Sequence, residues 1–341
     1  MNRLIVRLLS TLILLFNISA TKATEAFPIK IGVIAFGTLQ WELAVIQQQG
    51  LDKAANLKLN LITLANPQAG KIALHSGTVD IGVADWFWVS NQRANNNSPL
   101  TFAPYSATAG ALMVAKTSKI TSIKQLANKR IGIAGGEIDK NWLLLQTLAS
   151  TQYNLKLDES VNKTYGAPPI LNQQLLQGRL DALLTYWHYA AQLEANGYKR
   201  LLDGAEMLKL LGIEQTLPTL GYIFDEHWAN QHRQAIQRFL KISRQAKNLI
   251  CTSDKIWSTV LPLTRSENKQ TQTILRQRYC EGRIRQWGSA EKQAAANVYK
   301  RITNRHPRLF PEKSKTLAAG TFWDYSVSKL QDSKSQLSNV K

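Results

Sequence analysis

The 341-residue chain is long enough for two lobes that each bury a core, and its 44% apolar content excludes a disordered protein. The net charge of +19 is concentrated in residues 231–315, which hold 19 basic and 5 acidic side chains, whereas residues 24–230 are almost neutral. The basic surface is therefore predicted on the C-terminal part of the chain. It carries no nucleic-acid-binding motif, so nucleic acid is not a predicted partner.

Residues 1–23 have the pattern of a secretory signal peptide. Two arginines precede an apolar run from Leu8 to Phe16, and several alanines suited to cleavage follow it. The run is shorter than the roughly 20 apolar residues that a transmembrane helix needs. No cysteine lies near the signal, which argues against a lipid anchor. We predict a periplasmic protein that is free of the membrane.

Strands and helices alternate through the first part of the chain, which predicts mostly parallel sheets with crossover helices. The first lobe is predicted to contain strands 29–36, 57–64, 79–84 and 100–104 and helices 39–49 and 67–74. A strand at 110–115 and a short helix at 121–128 lead to the second lobe. That lobe is predicted to contain strands 130–134, 160–164, 180–185 and 199–202 and helices 141–151, 169–177 and 189–196.

A strand beginning at Leu217 is predicted to return the chain to the first lobe, and helices 233–250, 270–278 and 289–301 follow. The predicted domains are lobe 1 at 24–112, lobe 2 at 113–216, the return with its C-terminal helices at 217–325, and a flexible tail at 326–341.

Two stretches of the sequence repeat about one hundred residues apart. Leu74–Trp86 and Leu175–Trp187 share a glycine, an aspartate and a terminal tryptophan in the same register. Each indicates a helix end, a glycine in the left-handed conformation, a buried strand and an aromatic residue at the strand exit. The repeat predicts two lobes of like design. Asp80 and Asp181 are predicted to be turn or capping residues rather than a catalytic pair.

The sequence lacks the common enzyme motifs, including the phosphate-binding P-loop, the nucleophile elbow, H-E-x-x-H and C-x-x-C. Gly135-Gly136 precedes a predicted helix and is suited to a phosphate, but Glu137 and Asp139 beside it would repel an anion. We predict no catalytic residue, cofactor or metal site. Cys251 and Cys280 form either one disulfide or two separate buried thiols, and the sequence does not decide between them.

Aromatic side chains occur where the predicted strands end. Ligands of open α/β sheets bind beyond the carboxyl ends of the strands, so these rings predict a cleft with flat apolar walls. We predict that Trp86 and Trp187 face each other across the lobes; the alternative is that several rings belong to the core. The predicted ligand-binding residues are Thr38, Trp41, Glu42, Asp85, Trp86, Thr108, Gly136, Asp139, Lys140, Trp142, Tyr186, Trp187 and Tyr222.

Several of these motifs resemble the type II periplasmic binding proteins of ABC importers, in the branch that binds sulfonates, taurine, nitrate and thiamine precursors of the pyrimidine type. The resemblance covers residues 28–250 and is carried by Ile31–Trp41, Gly77–Gly82, Ile120–Ile133 and Gly178–Ala182. It implies a two-lobed α/β fold with a helical C-terminal extension. Two hinge strands near Gly110–Lys116 and Leu211–Leu220 would join lobes that close on a small molecule.

The resemblance implies a solute-binding protein that delivers its ligand to a permease and, indirectly, to the ATPase of the importer. Fungal relatives in this branch are pyrimidine-synthesising enzymes with a cysteine-rich motif, but this chain has no cysteine before Cys251, so an enzyme is not predicted. Acidic residues around the cleft favour a flat, heteroaromatic or amine-containing ligand that is neutral or cationic.

The alternative function is a non-transport accessory or chaperone-like partner of an exported enzyme. In either case, the basic helix 233–250 predicts contact with an acidic protein or an anionic membrane surface, unless its charges form only a solvated face.

Overall fold

A computed structural model describes residues 25–327 of the chain. The predicted signal peptide lies outside the described residues, as does the predicted tail apart from Ser326 and Val327. Within residues 25–327, no helix is both long and apolar enough to cross a membrane.

The described part of the chain contains a five-stranded sheet and two smaller sheets, of two and three strands, that a parallel bridge joins. Their strands are β1 (Phe27–Ile34), β2 (Leu57–Leu64), β3 (Gly82–Ala84), β4 (Leu100–Ser106), β5 (Ala111–Val114), β6 (Arg130–Ala134), β7 (Asn162–Gly166), β8 (Ala182–Thr185), β9 (Lys199–Asp203) and β10 (Leu220–Asp225).

The helices pack against these sheets and against one another. They are α1 (Leu39–Gln48), α2 (Leu51–Ala54), α3 (Pro67–His75), α4 (Trp86–Asn96), α5 (Lys140–Tyr153), α6 (Leu157–Ser160), α7 (Pro168–Leu176), α8 (Trp187–Ala195), α9 (Gly204–Leu210), α10 (Glu226–Gln231), α11 (Arg233–Thr252), α12 (Asp254–Val260), α13 (Lys269–Glu281) and α14 (Ser289–Arg305). Short 3₁₀ turns occur at Ile123–Leu126, Leu261–Thr264 and Glu312–Ser314.

The two lobes share one strand order, which confirms the two-lobed α/β architecture. The first sheet runs β2-β1-β3-β10-β4, with β1 and β3 joined by a parallel bridge between Ile31 and Ile81. The second runs β7-β6-β8-β5-β9. In each lobe the strand contributed from across the lobe boundary, β10 or β5, is antiparallel to both neighbours, so the sheets are mixed. The chain passes between the sheets at residues 107–110 and 211–219.

The sequence repeat corresponds to a repeated contact. Gly77 and Gly178 have φ of 68° and 69°, as the helix-ending pattern predicts. Asp80 accepts a hydrogen bond from the backbone N–H of Lys30 at 2.7 Å, and Asp181 accepts one from that of Arg130 at 2.8 Å. The prediction of local turn or capping bonds is therefore wrong, because each carboxylate instead ties its segment to the first strand of its own lobe.

Two of the hydrophobic cores contain residues from both lobes. One core combines β1, β2, α1 and α11 of the first lobe with Trp187 of α8 from the second. A second core combines α5 of the second lobe with Trp86 and Phe87 of α4 from the first, and both pack on α14. The C-terminal helices therefore cover ring systems from both lobes.

The end of the described chain is packed rather than loose. Val327 is 3% exposed, and its backbone pairs with that of Trp287 through hydrogen bonds of 2.8 and 3.0 Å. The prediction of a flexible tail from residue 326 is therefore wrong for this residue, because the pairing with Trp287 fixes it.

Cys251 at the end of α11 and Cys280 in α13 form a disulfide, with their Cα atoms 5.6 Å apart. This decides between the two alternatives that the sequence left open. The bridge closes a loop with a sequence separation of 29 residues and joins two helices of the C-terminal part.

Replacing both cysteines by serine is expected to lower the free energy of unfolding by about 3–4 kcal/mol, because the unfolded chain gains the entropy of the opened loop. Urea unfolding of the variant and of the oxidised and reduced wild type checks this. Reduced wild type should match the variant. A variant as stable as oxidised wild type would contradict the prediction.

Candidate functional site

Two helices that begin after central strands, one in each lobe, carry aspartates at their N-termini. Asp85 follows β3 and accepts a hydrogen bond from the N–H of Trp88 at 2.9 Å, which caps α4. Asp139 precedes α5 and accepts from the N–H groups of Asn141 and Trp142 at 2.9 and 3.2 Å. Aspartate is a preferred residue at this position because its carboxylate satisfies otherwise unpaired helix N–H groups. Capping thus fixes one carboxylate from each lobe.

These carboxylates and Lys140 influence each other across the lobe boundary. Burial raises the pKa of Asp139 to about 6, and the nearby charge of Asp85 adds to this effect, while the capping N–H groups and Lys140 oppose it. Burial lowers the pKa of Lys140 to about 8, against the attraction of both aspartates. The pKa of Tyr186 is raised by burial and by the charges of Asp139 and Asp85. The four side chains therefore form one electrostatic unit, called here the interlobe cluster.

A small pocket adjoins this cluster at Lys140, whose ammonium donates to the carbonyl of Thr219 at 2.8 Å. The wall is mainly apolar and comes from both lobes, the crossing segment and α14. Asn141 also lines the pocket, and its side-chain oxygen is buried without a hydrogen-bond partner among the described residues. The lining residues are Trp86, Ala109, Lys140, Asn141, Leu144, Gly204, Leu208, Leu217, Pro218, Thr219, Val298 and Ile302.

Of the predicted site residues, the structure brings together Asp85, Asp139, Lys140 and Tyr186. Gly136 lies in the turn before the cluster, where its carbonyl accepts from the N–H of Asp139 at 3.1 Å and its φ of 91° suits glycine. Whether these residues contact a ligand stays a prediction.

Glu42 lies in the core of the first lobe, fully buried, and not at the cleft. It accepts hydrogen bonds from the hydroxyls of Tyr105, at 2.6 Å, and Tyr279, and it pairs with the ammonium of Lys247 at 3.1 Å. Thr38 lies close to Tyr105, next to the same network. The site prediction for Glu42 is therefore wrong, because its charge is already compensated inside the protein.

The predicted stacking faces are mostly core. Trp41, Trp142 and Tyr222 are 2%, 1% and 2% exposed. The Tyr222 hydroxyl lies 2.5 Å from that of Ser243. Thr108 is packed at the lobe crossing, with its hydroxyl 2.8 Å from that of Ser106. These four residues do not form the predicted cleft surface.

The prediction that Trp86 and Trp187 face each other is wrong. Trp187 meets Trp41 edge to face, with ring centroids 5.9 Å apart. Trp86 packs on Phe87 at 4.7 Å and on Tyr299 of α14 at 6.3 Å, and its indole N–H donates to the carbonyl of Pro218. The C-terminal helices supply rings that fill the space next to each tryptophan.

Three residues at the lobe boundary were missed by the sequence analysis. His188 of α8 has both ring nitrogens buried, with no hydrogen-bond partner among residues 25–327. Burial lowers its pKa to about 4, an effect that the nearby backbone of Phe36 in the first lobe only partly opposes. Arg278 of α13 forms an ion pair with Glu194 of α8. The aromatic run at residues 186–189 was the available indication for His188, whereas nothing local indicated the ion pair.

Comparison with known proteins identifies the fold. A sequence model of the family described as "NMT1/THI5 like" matches residues 42–253. No curated protein sequence matches the chain.

Several solved structures resemble it. The periplasmic aliphatic sulphonate-binding protein of Escherichia coli is 19% identical with a TM-score of 0.70, and the match covers 88% of this chain and 93% of that one. The alkanesulfonate-binding protein of Xanthomonas axonopodis pv. citri, solved with MOPS, is 17% identical with a TM-score of 0.66, covering 88% and 99%. A ligand-binding component of an ABC-type import system from Staphylococcus aureus is 16% identical with a TM-score of 0.63, covering 87% and 96%. These similarities show the periplasmic-binding-protein fold.

Replacing Trp86 by alanine is expected to lower the free energy of unfolding by about 3–5 kcal/mol, because the ring is 1% exposed and leaves a cavity. Urea unfolding measures the loss. Trp88→Ala, on the same helix but only half-buried, is the matched control and should lose clearly less. Equal stability of Trp86→Ala and wild type would place the ring in an open cleft instead.

Proposed function

The chain belongs to the NMT1/THI5-like family, and from this membership we propose that it is the periplasmic solute-binding protein of an ABC importer. The carrying observation is the interlobe cluster, in which Asp85 of one lobe and Asp139 and Lys140 of the other lie within mutual electrostatic reach. A ligand held there would contact both lobes and favour their closure. It would then be delivered to a permease, the partner that the importer architecture requires.

We further propose that the ligand is a small organic molecule with an amine or another cationic group. Asp85 and Asp139 outnumber Lys140, so the cluster favours a positive charge over a sulfonate or nitrate. The adjoining pocket has mainly apolar walls, which favour an apolar body such as a heteroaromatic ring beside the charged group. Tyr186 and Asn141 add polar groups that can orient the ligand.

The geometry of the cluster suits the binding of a ligand. Asp85 and Asp139 are each oriented by hydrogen bonds from helix N–H groups, which makes them fixed acceptors for a ligand.

The second candidate is a non-transport accessory protein. It is favoured by contacts that hold the lobes together away from the crossing segments, namely the Arg278–Glu194 ion pair and the Trp41–Trp187 ring contact. Small-angle scattering separates the two candidates. A transport protein should become more compact when its ligand is added, whereas an accessory protein should keep one radius of gyration.

Thermal-shift screening with pyrimidines, aromatic amines, betaines and sulfonates should select an amine. Asp139→Asn should weaken the best amine by at least about 30-fold, or about 2 kcal/mol, because the paired charge is lost. Titration calorimetry measures this, and Asp158→Asn, an exposed carboxylate of the same lobe, is the control. Stabilisation by anions alone would reject this ligand class.

The affinity for that amine is also expected to fall as the pH drops through about 6, because Asp139 must be ionised to attract the cation and its pKa is about 6. The fall approaches tenfold per pH unit at lower pH. It should vanish in Asp139→Asn. An anionic ligand would show the opposite dependence, weakening as Lys140 loses its proton near pH 8.

The basic C-terminal helices are proposed to dock on an acidic surface, either of the permease or of anionic lipid beside it. Two of the predicted charges are not available: Lys247 is buried against Glu42, and Arg244 hydrogen-bonds to the Tyr325 hydroxyl at 3.2 Å. The exposed charges that remain include Lys241, Lys255 and Lys269.

Reversing Lys241, Lys255 and Lys269 to glutamate should leave ligand affinity unchanged and slow uptake at low salt, since these charges speed encounter with an acidic surface. The control reverses three exposed lysines of the lobes, Lys53, Lys58 and Lys119. Sedimentation with vesicles containing phosphatidylglycerol shows whether lipid is the surface. Normal uptake of the ligand at low salt in the presence of the first variant would mean that Lys241, Lys255 and Lys269 of the wild type form only a solvated surface.

A further inference from the structure

A second pocket lies within the first lobe, between α11, the β4–β10 strand pair and the last described residues. It shares no lining residue with the interlobe pocket. Tyr105, Tyr222 and Tyr325 contribute aromatic walls, and Arg244, Lys247 and Arg283 contribute positive charge. No carboxylate lines it among the described residues.

The three cations are not equivalent. The ammonium of Lys247 is neutralised by the carboxylate of Glu42, which lies 3.1 Å away, and it also donates to the carbonyl of Tyr105 at 2.9 Å. Arg283 donates to the carbonyl of Cys280 at 3.2 Å. Arg244 forms no ion pair with any described residue; one of its terminal nitrogens donates to the Tyr325 hydroxyl, and its Nε–H is buried with no acceptor. An unpaired buried N–H of a charged group is costly, and an acceptor bound in this pocket would relieve that cost at Arg244.

The pocket is held in place from three sides. Arg244 lies on α11 between Lys247, which is fixed by Glu42, and Leu240 in the core. The disulfide fixes the segment before Arg283 to the end of α11. The backbone pairing of Val327 with Trp287 holds the wall that contains Tyr325. A site with such fixed walls loses little entropy when it binds a ligand.

We propose that this pocket binds a small oxyanion, that is, a carboxylate, sulfonate or phosphate group, with Arg244 as its main donor. The planar guanidinium presents paired N–H groups that match two oxygens of such a group, and the tyrosine rings accept a short apolar body next to it. The charge preference is opposite to that of the interlobe cluster, so the protein has two separate sites for two kinds of ligand.

Titration calorimetry with sodium sulfate, inorganic phosphate and benzoate, at constant ionic strength set with chloride, tests this site. At least one of these anions should bind wild type in a saturable way with one equivalent. Arg244→Gln should weaken that binding at least tenfold, and Arg244→Lys should also weaken it, because it keeps the charge but loses the planar fork.

Two controls separate the site from general charge effects. Arg238→Gln removes a half-buried arginine of the same helix that lies outside the pocket, and it should bind the anion as wild type does. Asp139→Asn should do so as well, whatever its effect on amine binding. Absence of saturable binding to wild type for all three anions, or equal affinity in wild type and a folded Arg244→Lys variant, would overturn the proposal.

Discussion

The first lobe depends on one buried charge pair. Glu42 and Lys247 are withdrawn from water, and such a pair is tolerated only when hydrogen bonds satisfy the remaining lone pairs and protons. Here the hydroxyls of Tyr105 and Tyr279 and the carbonyl of Tyr105 do this. The pair therefore joins α1, β4, α11 and α13 at a single point. It also sets the rotation of α11, which directs Arg244 to the pocket one turn earlier and Cys251 to its partner one turn later.

The secondary structure was largely predictable because hydrophobic periodicity and turn residues, which determine it, are local features of the sequence. The strand Leu57–Leu64 was predicted with its exact bounds, and the repeated Gly77 and Gly178 marked both helix ends. Asp85 and Asp139 were recognised as site candidates because they are polar residues close in sequence to the aromatic residues at the strand ends. The fold class followed from the alternation of these elements.

The rest of the site was not predictable because the deciding partners are distant in sequence. Glu42 looks like a cleft carboxylate until Lys247, 205 positions later, is placed against it. Trp86 looks like a cleft wall until Tyr299 covers it. The aromatic residues at the strand ends do lie where the lobes meet. Whether their rings are buried or exposed depends on the C-terminal helices, which are not part of the repeat.

The contact between Trp41 and Trp187 has a practical consequence. Trp41 belongs to the first helix of one lobe and Trp187 to the helix after the last repeat strand of the other, and their rings touch edge to face at 5.9 Å. Any separation of the lobes must part these two indoles and bring water to them. Because the emission wavelength of an indole shifts when water reaches it, the tryptophan fluorescence of the protein should report separation of the lobes without an attached dye.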